Sequence, residues 1–583
     1  MLIALAQLNP LVGDLTGNAA HLLQAAVDAN RGEPLLVVTP ELSLWGYPPR
    51  DLLLRPSLIA LQNGLLDQLA SDLQRQAPQV SLLVGIAEPT GSSALPNLHN
   101  ALALVAADGW RVVYRKQLLP SYDVFDERRY FVAGTAAAVL PWPHTGGLRL
   151  GLTICEDLWV DEALAGQRLA GPDPIAALQS QGVDLLLNLS ASPFGLGKLA
   201  LRRQLAARAA ARLGAPVVYV NQVGGNDELV FDGASFMIQP DGSLTTQLPH
   251  CRERVVTLAL QPRDTAANNG PQAPPVVEAP ARAHPAPLPD LPCEREQLFR
   301  ALVLGVADYA RKCGFKQALL GLSGGIDSAL VAVIAAAALG ADQVKGLLLP
   351  SPWSSEGSIS DATALAQRLA MATHTLPIAT LMQAFDHSLA PVLGAPPSGL
   401  AAENLQSRIR GTLLMALANQ QGQLLLATGN KSELAVGYCT LYGDMNGGLA
   451  VIGDLYKTTV FALCEWLDDP AAGVCRRELG LPASGPLIGA AIRHKAPSAE
   501  LRPDQKDSDS LPDYAILDPV LKALIEDHRS PEQLIAGGTD AALAERIMGL
   551  LRRAEFKRRQ APPVLKVSRR AFGSGWRMPI AAR

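Results

Sequence analysis

The segment from Gln261 to Pro292 constrains this chain most. It reads QPRDTAANNGPQAPPVVEAPARAHPAPLPDLP. Each proline fixes φ at about −65° and removes a backbone donor, so prolines at this density disfavour helix and sheet and favour an extended linker. A chain of 583 residues is also too long for one core at roughly 100–200 residues per domain. The seam therefore predicts two bodies, residues 1–260 and 293–583, joined by a linker over 261–292.

Both halves read as α/β. In the first, short runs of Val, Ile and Leu (Ile3–Ala6, Leu35–Val38, Ser81–Gly85, Leu148–Ile154, Val183–Leu189 and Val217–Asn221) alternate with helical patterns such as Asn18–Ala29. Such runs predict strands buried on both faces. Glu41, Cys155 and Ser192 fall just beyond three of them, where α/β folds carry their chemistry. In the second half, a helix over Glu294–Cys313 precedes a strand at Gln317–Leu322, a glycine-rich turn, an alanine-rich helix to Leu339 and strands at Lys345–Leu349 and Leu424–Thr428. That order predicts a doubly wound sheet. The polar stretch Gly485–Tyr514 reads as a long irregular loop, a common form of active-site lid.

Composition narrows the function. A net charge of −4 and a pI near 6.2 do not suggest a nucleic-acid partner, which usually leaves a basic stripe. No apolar run reaches the ~20 residues of a membrane span. The N-terminus MLIALAQLNP lacks a basic segment before its apolar run and reads as a buried strand, not a signal peptide. A cytoplasmic protein is expected. The seven cysteines are scattered without a CxxC pair, which argues against a zinc site or disulfide framework.

The turn is Gly321, Leu322, Ser323, Gly324, Gly325, Ile326, Asp327 and Ser328. Adjacent glycines allow a tight turn, and the first N–H groups of the following helix converge into an anion site. Ser323 and Ser328 add hydroxyl donors. Asp327 would repel phosphate unless Mg²⁺ lay between them. A Walker loop is excluded, because no lysine follows the glycines.

SGGIDS resembles the PP-loop of the ATP pyrophosphatase superfamily, whose members split ATP between the α and β phosphates, adenylate a carbonyl oxygen and let an amine displace AMP. The segments Glu403–Arg410 (ENLQSRIR), Ala427–Glu433 (ATGNKSE), Tyr442–Met445, Asp454–Lys457, Pro497–Leu501 and Glu555–Arg559 follow in order, and together they resemble the NAD synthetase family. The resemblance implies that the loop, Thr428, Lys457 and Ser498 bind ATP. Asn404, Arg408, Glu433 and Lys557 would bind deamido-NAD, with Asp327 and Glu433 near Mg²⁺. Leu441 and Phe556 stand where the smaller, ammonia-using members carry Lys and His, so substrate contacts there do not carry over.

An adenylated acceptor needs an amine, and free ammonia is mostly protonated near neutral pH. The first half has parts for amide hydrolysis. Cys155 offers a thiolate once a base takes its proton, Glu41 is a candidate base, and Lys116 offers a fixed positive charge for an oxyanion. These strings resemble the nitrilase superfamily and its Glu-Lys-Cys triad over about residues 1–260. That implies an α-β-β-α sandwich in which Glu41 accepts the proton, Lys116 stabilises the transition state and Cys155 is the nucleophile. Tyr122, Ser192 and Lys198 match its glutamine contacts. Glu127 is either a second carboxylate near the triad or a charged loop residue.

The fusion is the pattern of glutamine-dependent NAD synthetases, which implies small-molecule substrates (deamido-NAD, ATP and glutamine), a homo-oligomer and an internal ammonia route. Two other readings stay open: a glutamine-dependent PP-loop enzyme with another carboxylate or a base as acceptor, and a binding protein built from decayed enzyme domains. Intact Glu41, Lys116, Cys155 and SGGIDS argue against decay.

Overall fold

A computed structural model of the chain describes residues 1–143, 147–260, 276–278 and 291–582. The chain divides into two compact units, residues 1–226 with 230–291 and residues 227–229 with 292–583.

The first unit is built on two mixed sheets. One runs in the spatial order Val276–Glu278, Arg254–Leu260, Leu2–Gln7, Leu35–Val38, Val80–Pro89, Leu98–Ala106 and Gly109–Arg115. Leu2–Gln7, Leu35–Val38 and Val80–Pro89 are parallel, and the last three strands form an antiparallel meander. The other sheet runs Leu244–Gln247, Phe236–Ile238, Val217–Asn221, Leu185–Ser190, Leu148–Ile154 and Ala138–Trp142, with three parallel strands at its centre. Ile3, Leu5, Val38 and Leu102 of one sheet share a dry core with Leu152, Leu187 and Val218 of the other. Helices Leu15–Ala29 and Pro56–Gln76 pack on the first sheet. Helices Pro174–Gln181 and Lys198–Leu213 cover the second through Ile175, Leu178, Ala206 and Ala209. The layers are helix, sheet, sheet, helix.

Most of the expected linker 261–292 lies outside the described residues. Within it, Val276–Glu278 pairs antiparallel with Arg254–Leu260, Leu260 facing Val276 and Leu258 facing Glu278. The tripeptide VVE is free of proline, and the prolines on either side of it suit the ends of an edge strand.

The second unit holds a five-stranded parallel sheet in the order Ala372–Thr375, Val344–Leu348, Ala318–Gly321, Leu424–Ala427 and Leu449–Ala450. In chain order that is third, second, first, fourth, fifth. The strand order reverses between Ala318–Gly321 and Leu424–Ala427, whose carboxyl ends therefore flank the crevice where doubly wound sheets bind ligands. Helix Ile326–Leu339, mostly alanine, valine and leucine, is almost wholly buried. The stretch 485–514 is mostly irregular and carries only a short helix, Ala490–Arg493, and a 3₁₀ turn, Asp507–Asp509.

Candidate active sites in the two units

In the first unit three strand ends deliver the chemistry. Glu41 sits in the turn after Leu35–Val38, Lys116 directly follows Gly109–Arg115, and Cys155 directly follows Leu148–Ile154. The Glu41 turn lies so close over Val80–Pro89 that a Cβ on Gly85 would stand 2.1 Å from the Leu42 nitrogen, so only glycine fits there. Cys155 opens a 3₁₀ turn at φ +46°, a left-handed conformation that is costly for a residue with a Cβ.

The three side chains are buried. Lys116 Nζ donates to Glu41 Oε1 at 2.6 Å and to Glu127 Oε1 at 2.8 Å. Asn100 Nδ2 donates to the same Glu41 oxygen at 2.8 Å, the Ala191 N–H donates to Glu41 Oε2 at 3.0 Å, and the Tyr47 hydroxyl donates to Glu127 at 2.8 Å. Asn100 also holds Lys116 by its backbone, its carbonyl accepting the Lys116 N–H at 2.8 Å. Burial lowers the Lys116 pKa, but Glu127 and Glu41 more than offset it and hold it well above the usual lysine value. Burial pushes Glu127 up to about 7, Lys116 opposing and Glu41 adding to the rise. The Cys155 thiol is raised well above its ordinary value by burial and by the charge of Glu41, with Lys116 opposing. The Cys155 sulfur is therefore a thiol at rest, and would need a base before it could attack. Glu127, left open by the sequence, joins the cluster as its second carboxylate.

A small cavity beside this cluster is lined by Tyr122, Glu156, Trp159, Ala165, Gln167 and Leu169. The Tyr122 hydroxyl donates to Glu156 Oε1 at 2.7 Å. Lys198 Nζ lies 5.6 Å from the Trp159 ring centre and 6.0 Å from that of Phe125. Ser192 is buried, its N–H bound to Asn221 Oδ1 at 2.9 Å. Tyr122 is thus part of the cavity wall and Lys198 stands over another wall residue, whereas Ser192 is not among the lining residues. Glu156 was missed by sequence reasoning. Its signal was only adjacency to Cys155.

In the second unit the glycine turn connects Ala318–Gly321 to helix Ile326–Leu339. Gly324 sits at φ +78°, and a Cβ there would stand 2.1 Å from the Ser358 carbonyl oxygen. The Ser323 and Ser328 hydroxyls lie 3.1 Å apart, and the Ser323 N–H donates to Ser328 Oγ at 3.2 Å. Asp327 is ion-paired with Lys457 and accepts from Asn430 Nδ2 at 3.0 Å. Asn430 caps helix Lys431–Val436 in a capping box with Glu433, and Glu433 lies 3.8 Å from Lys457 Nζ. Burial and the charge of Asp327 push Glu433 up to about 8, Lys457 opposing. Burial would lower Lys457, but Asp327 and Glu433 overcome it and raise its pKa. The fold thus brings Asp327, Glu433 and Lys457 together from three separate segments, with Thr428 half-buried beyond the neighbouring strand.

The other expected residues gather elsewhere. The Thr440 hydroxyl donates to Asn404 Oδ1 at 2.8 Å, Arg408 Nε donates to the Leu441 carbonyl at 3.2 Å, and Lys557 Nζ donates to the Gly437 and Cys439 carbonyls at 2.7 Å each. All three converge on the loop 437–444 that follows helix Lys431–Val436. The Ser498 hydroxyl donates to the Gln505 carbonyl at 2.6 Å, within its own loop. Lys495 of that loop is the side chain that reaches the glycine turn, donating to the Gly324 carbonyl at 3.2 Å and pairing with Asp361 at 2.5 Å. Sequence reasoning missed it because an isolated lysine in a polar loop carries no local signal.

The carbon-nitrogen hydrolase family model matches residues 2–268 and the NAD synthase model matches residues 298–561. The glutamine-dependent NAD(+) synthetase of Synechocystis sp. is 48% identical over 99% of this chain and 98% of its own length. That of Rhodobacter capsulatus is 42% identical over 100% and 98%. A solved structure of glutamine-dependent NAD+ synthetase from Acinetobacter baumannii in complex with adenosine diphosphate superposes with a TM-score of 0.72 at 34% identity, covering 99% of this chain and 98% of that one. The chain belongs to the glutamine-dependent NAD(+) synthetase family.

Proposed function

We propose that the chain amidates deamido-NAD to NAD at the expense of ATP, with ammonia released from glutamine by its first unit. The observation that carries the glutaminase half is Lys116 held between two buried carboxylates beside a buried thiol. Glu41 takes the proton of Cys155 as Sγ attacks the glutamine amide carbon. Lys116, the one cation bonded to both carboxylates of the cluster, faces the negative charge that develops on the amide oxygen. Glu41 returns the proton to the departing nitrogen, ammonia leaves, and a thioester remains. Water then attacks the thioester, Glu41 accepts its proton and passes it to Sγ, and glutamate departs. Tyr122, Ser192 and Lys198 are assigned to the amino-acid end of glutamine. The buried Glu156 carboxylate supports that assignment by offering a partner for an ammonium.

In the second unit, the deamido-NAD carboxylate attacks the α-phosphorus of ATP and pyrophosphate leaves. Ammonia then attacks the acyl carbon and expels AMP. The glycine turn, Thr428, Lys457 and Ser498 are assigned to ATP, and Asn404, Arg408, Glu433 and Lys557 to deamido-NAD. Asp327 and Glu433 suit Mg²⁺: both are oxygen donors, and both carboxylates approach the same Lys457 Nζ. No group of three or more acidic, His or Cys side chains among the described residues could hold a metal unaided, as is usual for an ion shared with phosphate oxygens. Bound there, Mg²⁺ supplies charge neutralisation for the leaving pyrophosphate. Lys457 then pairs with phosphate in place of Asp327.

A homo-oligomer in the cytoplasm belongs to the same reading. No helix among the described residues is long and apolar enough to cross a membrane, and the net charge of −4 gives no support for a nucleic-acid acceptor. The NAD synthase match disfavours any other acceptor. The test is Cys155→Ala: it loses synthesis from glutamine and keeps synthesis from added ammonium. Failure of ammonium to rescue it would refute the division of labour.

A further inference from the structure

Asp157 lies two residues beyond the nucleophile and is fully buried, yet the reaction outlined above does not use it. Its carboxylate collects four donors. Oδ1 accepts the Leu118 N–H at 2.8 Å and the Gln117 N–H at 3.1 Å, and Oδ2 accepts the Tyr114 hydroxyl at 2.8 Å and the Ile154 N–H at 3.1 Å. Gln117 Nε2 donates in turn to the Tyr114 hydroxyl at 3.1 Å. Ile154 immediately precedes Cys155, and Gln117 and Leu118 immediately follow Lys116. One carboxylate therefore pins the chain on the near side of the nucleophile, three residues before Asp157, and on the far side of the cation, 39 and 40 residues before it. Burial pushes this carboxyl up to about 6 against the hydrogen bonds that favour its charge.

We infer that Asp157 is a positioning residue for glutamine hydrolysis, setting Cys155 against Lys116 by holding both of their main chains. The inference rests on the assignment of Cys155 and Lys116 proposed above. An amide cannot replace the carboxylate. Asn presents one oxygen and one NH₂ group, so whichever way it turns, at least one backbone N–H meets another donor. Either the Cys155 turn or the Lys116 strand end is then released, and a displacement of about 1 Å between reacting groups costs on the order of 100-fold in rate.

The test uses the full chain with Asp157→Asn. Competent sites are titrated with a chloroketone analogue of glutamine, so that misfolded protein drops out of the comparison. The expected result is kcat for glutamine hydrolysis per titrated site lowered about 100-fold, KM for glutamine within about threefold, and ammonium-driven synthesis unchanged. A residue that merely stabilises the fold would lower the number of titrated sites and leave kcat per site intact, which would overturn the inference. If Asp157→Asn does not fold, Tyr114→Phe decides. It removes one donor of the four and should lower kcat about tenfold at constant KM, and an unchanged kcat overturns the inference. Glutaminase activity in Cys155→Ala would sink the catalytic assignment itself. An inert Cys155→Ala beside a fully active Asp157→Asn would sink the positioning role alone.

Discussion

Replacing Lys116 with Met keeps the unbranched apolar stem and deletes the charge between Glu41 and Glu127. In the native cluster the ammonium lies 2.6 Å from one carboxylate and 2.8 Å from the other. All three groups are almost fully buried, so water cannot take over the lost role. Removing one partner of a buried ion pair costs about 3–5 kcal/mol, because the remaining charge stays desolvated. Here two like charges are left, and the cheapest relief is to protonate Glu127, already raised to about 7 with the lysine present. In the variant that pKa climbs further above its unfolded value. A carboxyl whose folded pKa exceeds the unfolded one loses stability as pH rises through the interval. The deficit against the parent should therefore be near the full 3–5 kcal/mol at pH ~8 and smaller at pH ~6. Urea denaturation at the two pH values, following the transition that abolishes thiol burial at Cys155, reads it directly. Glutamine hydrolysis should fall about 10²–10³-fold with the loss of the oxyanion partner. A variant as stable as the parent at both pH values, or one whose deficit grows on acidification, would refute this account of the cluster.

Three further outcomes follow from other parts of the structure. Gly324→Ala puts a Cβ at φ +78° and 2.1 Å from the Ser358 oxygen, so KM for ATP should rise at least about tenfold, from a strain of ~1–2 kcal/mol and the displaced turn, while glutaminase kinetics stay unchanged. Asp327→Ala frees Lys457 from its ion pair and removes one of the two carboxylates proposed to hold Mg²⁺. Synthesis should be abolished with glutamine and with ammonium alike, and retained synthesis in a direct assay would contradict the role. Glu127 is raised from 4.5 to about 7, so its ionisation withdraws stability from the first unit as pH climbs through that window. Glu127→Gln should flatten the decline in melting temperature there, and an unaltered pH profile would show that the carboxyl is not the source.

Strands such as Leu35–Val38, Leu148–Ile154 and Val217–Asn221 were legible with their bounds, because each is a short apolar run whose neighbours break the pattern. The meander that delivers Lys116 was not read, although Asp108-Gly109 at its turn is a hairpin signal. The partners of the triad were out of reach in principle. Asn100 meets Glu41 across 59 residues and Tyr47 meets Glu127 across 80, and nothing local in either sequence announces the contact. Residue type also misleads where burial is decided by tertiary partners. Lys431 looks like a surface lysine in ATGNKSE, but it is fully buried, 3.0 Å from both Asp454 and Glu526, and donates to Ser568 Oγ at 2.7 Å. In the second unit the turn, its helix and the strands Ala318–Gly321, Val344–Leu348 and Leu424–Ala427 follow from pattern, whereas the edge strands Ala372–Thr375 and Leu449–Ala450 were not read. The convergence of Asn404, Arg408 and Lys557 on the loop 437–444 needed the fold.

The central claim is that one chain couples glutamine hydrolysis to a PP-loop synthesis of NAD. Its most direct test is product analysis of the purified protein with deamido-NAD, ATP and Mg²⁺, run with glutamine and with ammonium side by side. The account predicts NAD, AMP and pyrophosphate in equal amounts from both nitrogen sources, with glutamate formed only from glutamine. ADP and orthophosphate in place of AMP and pyrophosphate would contradict it.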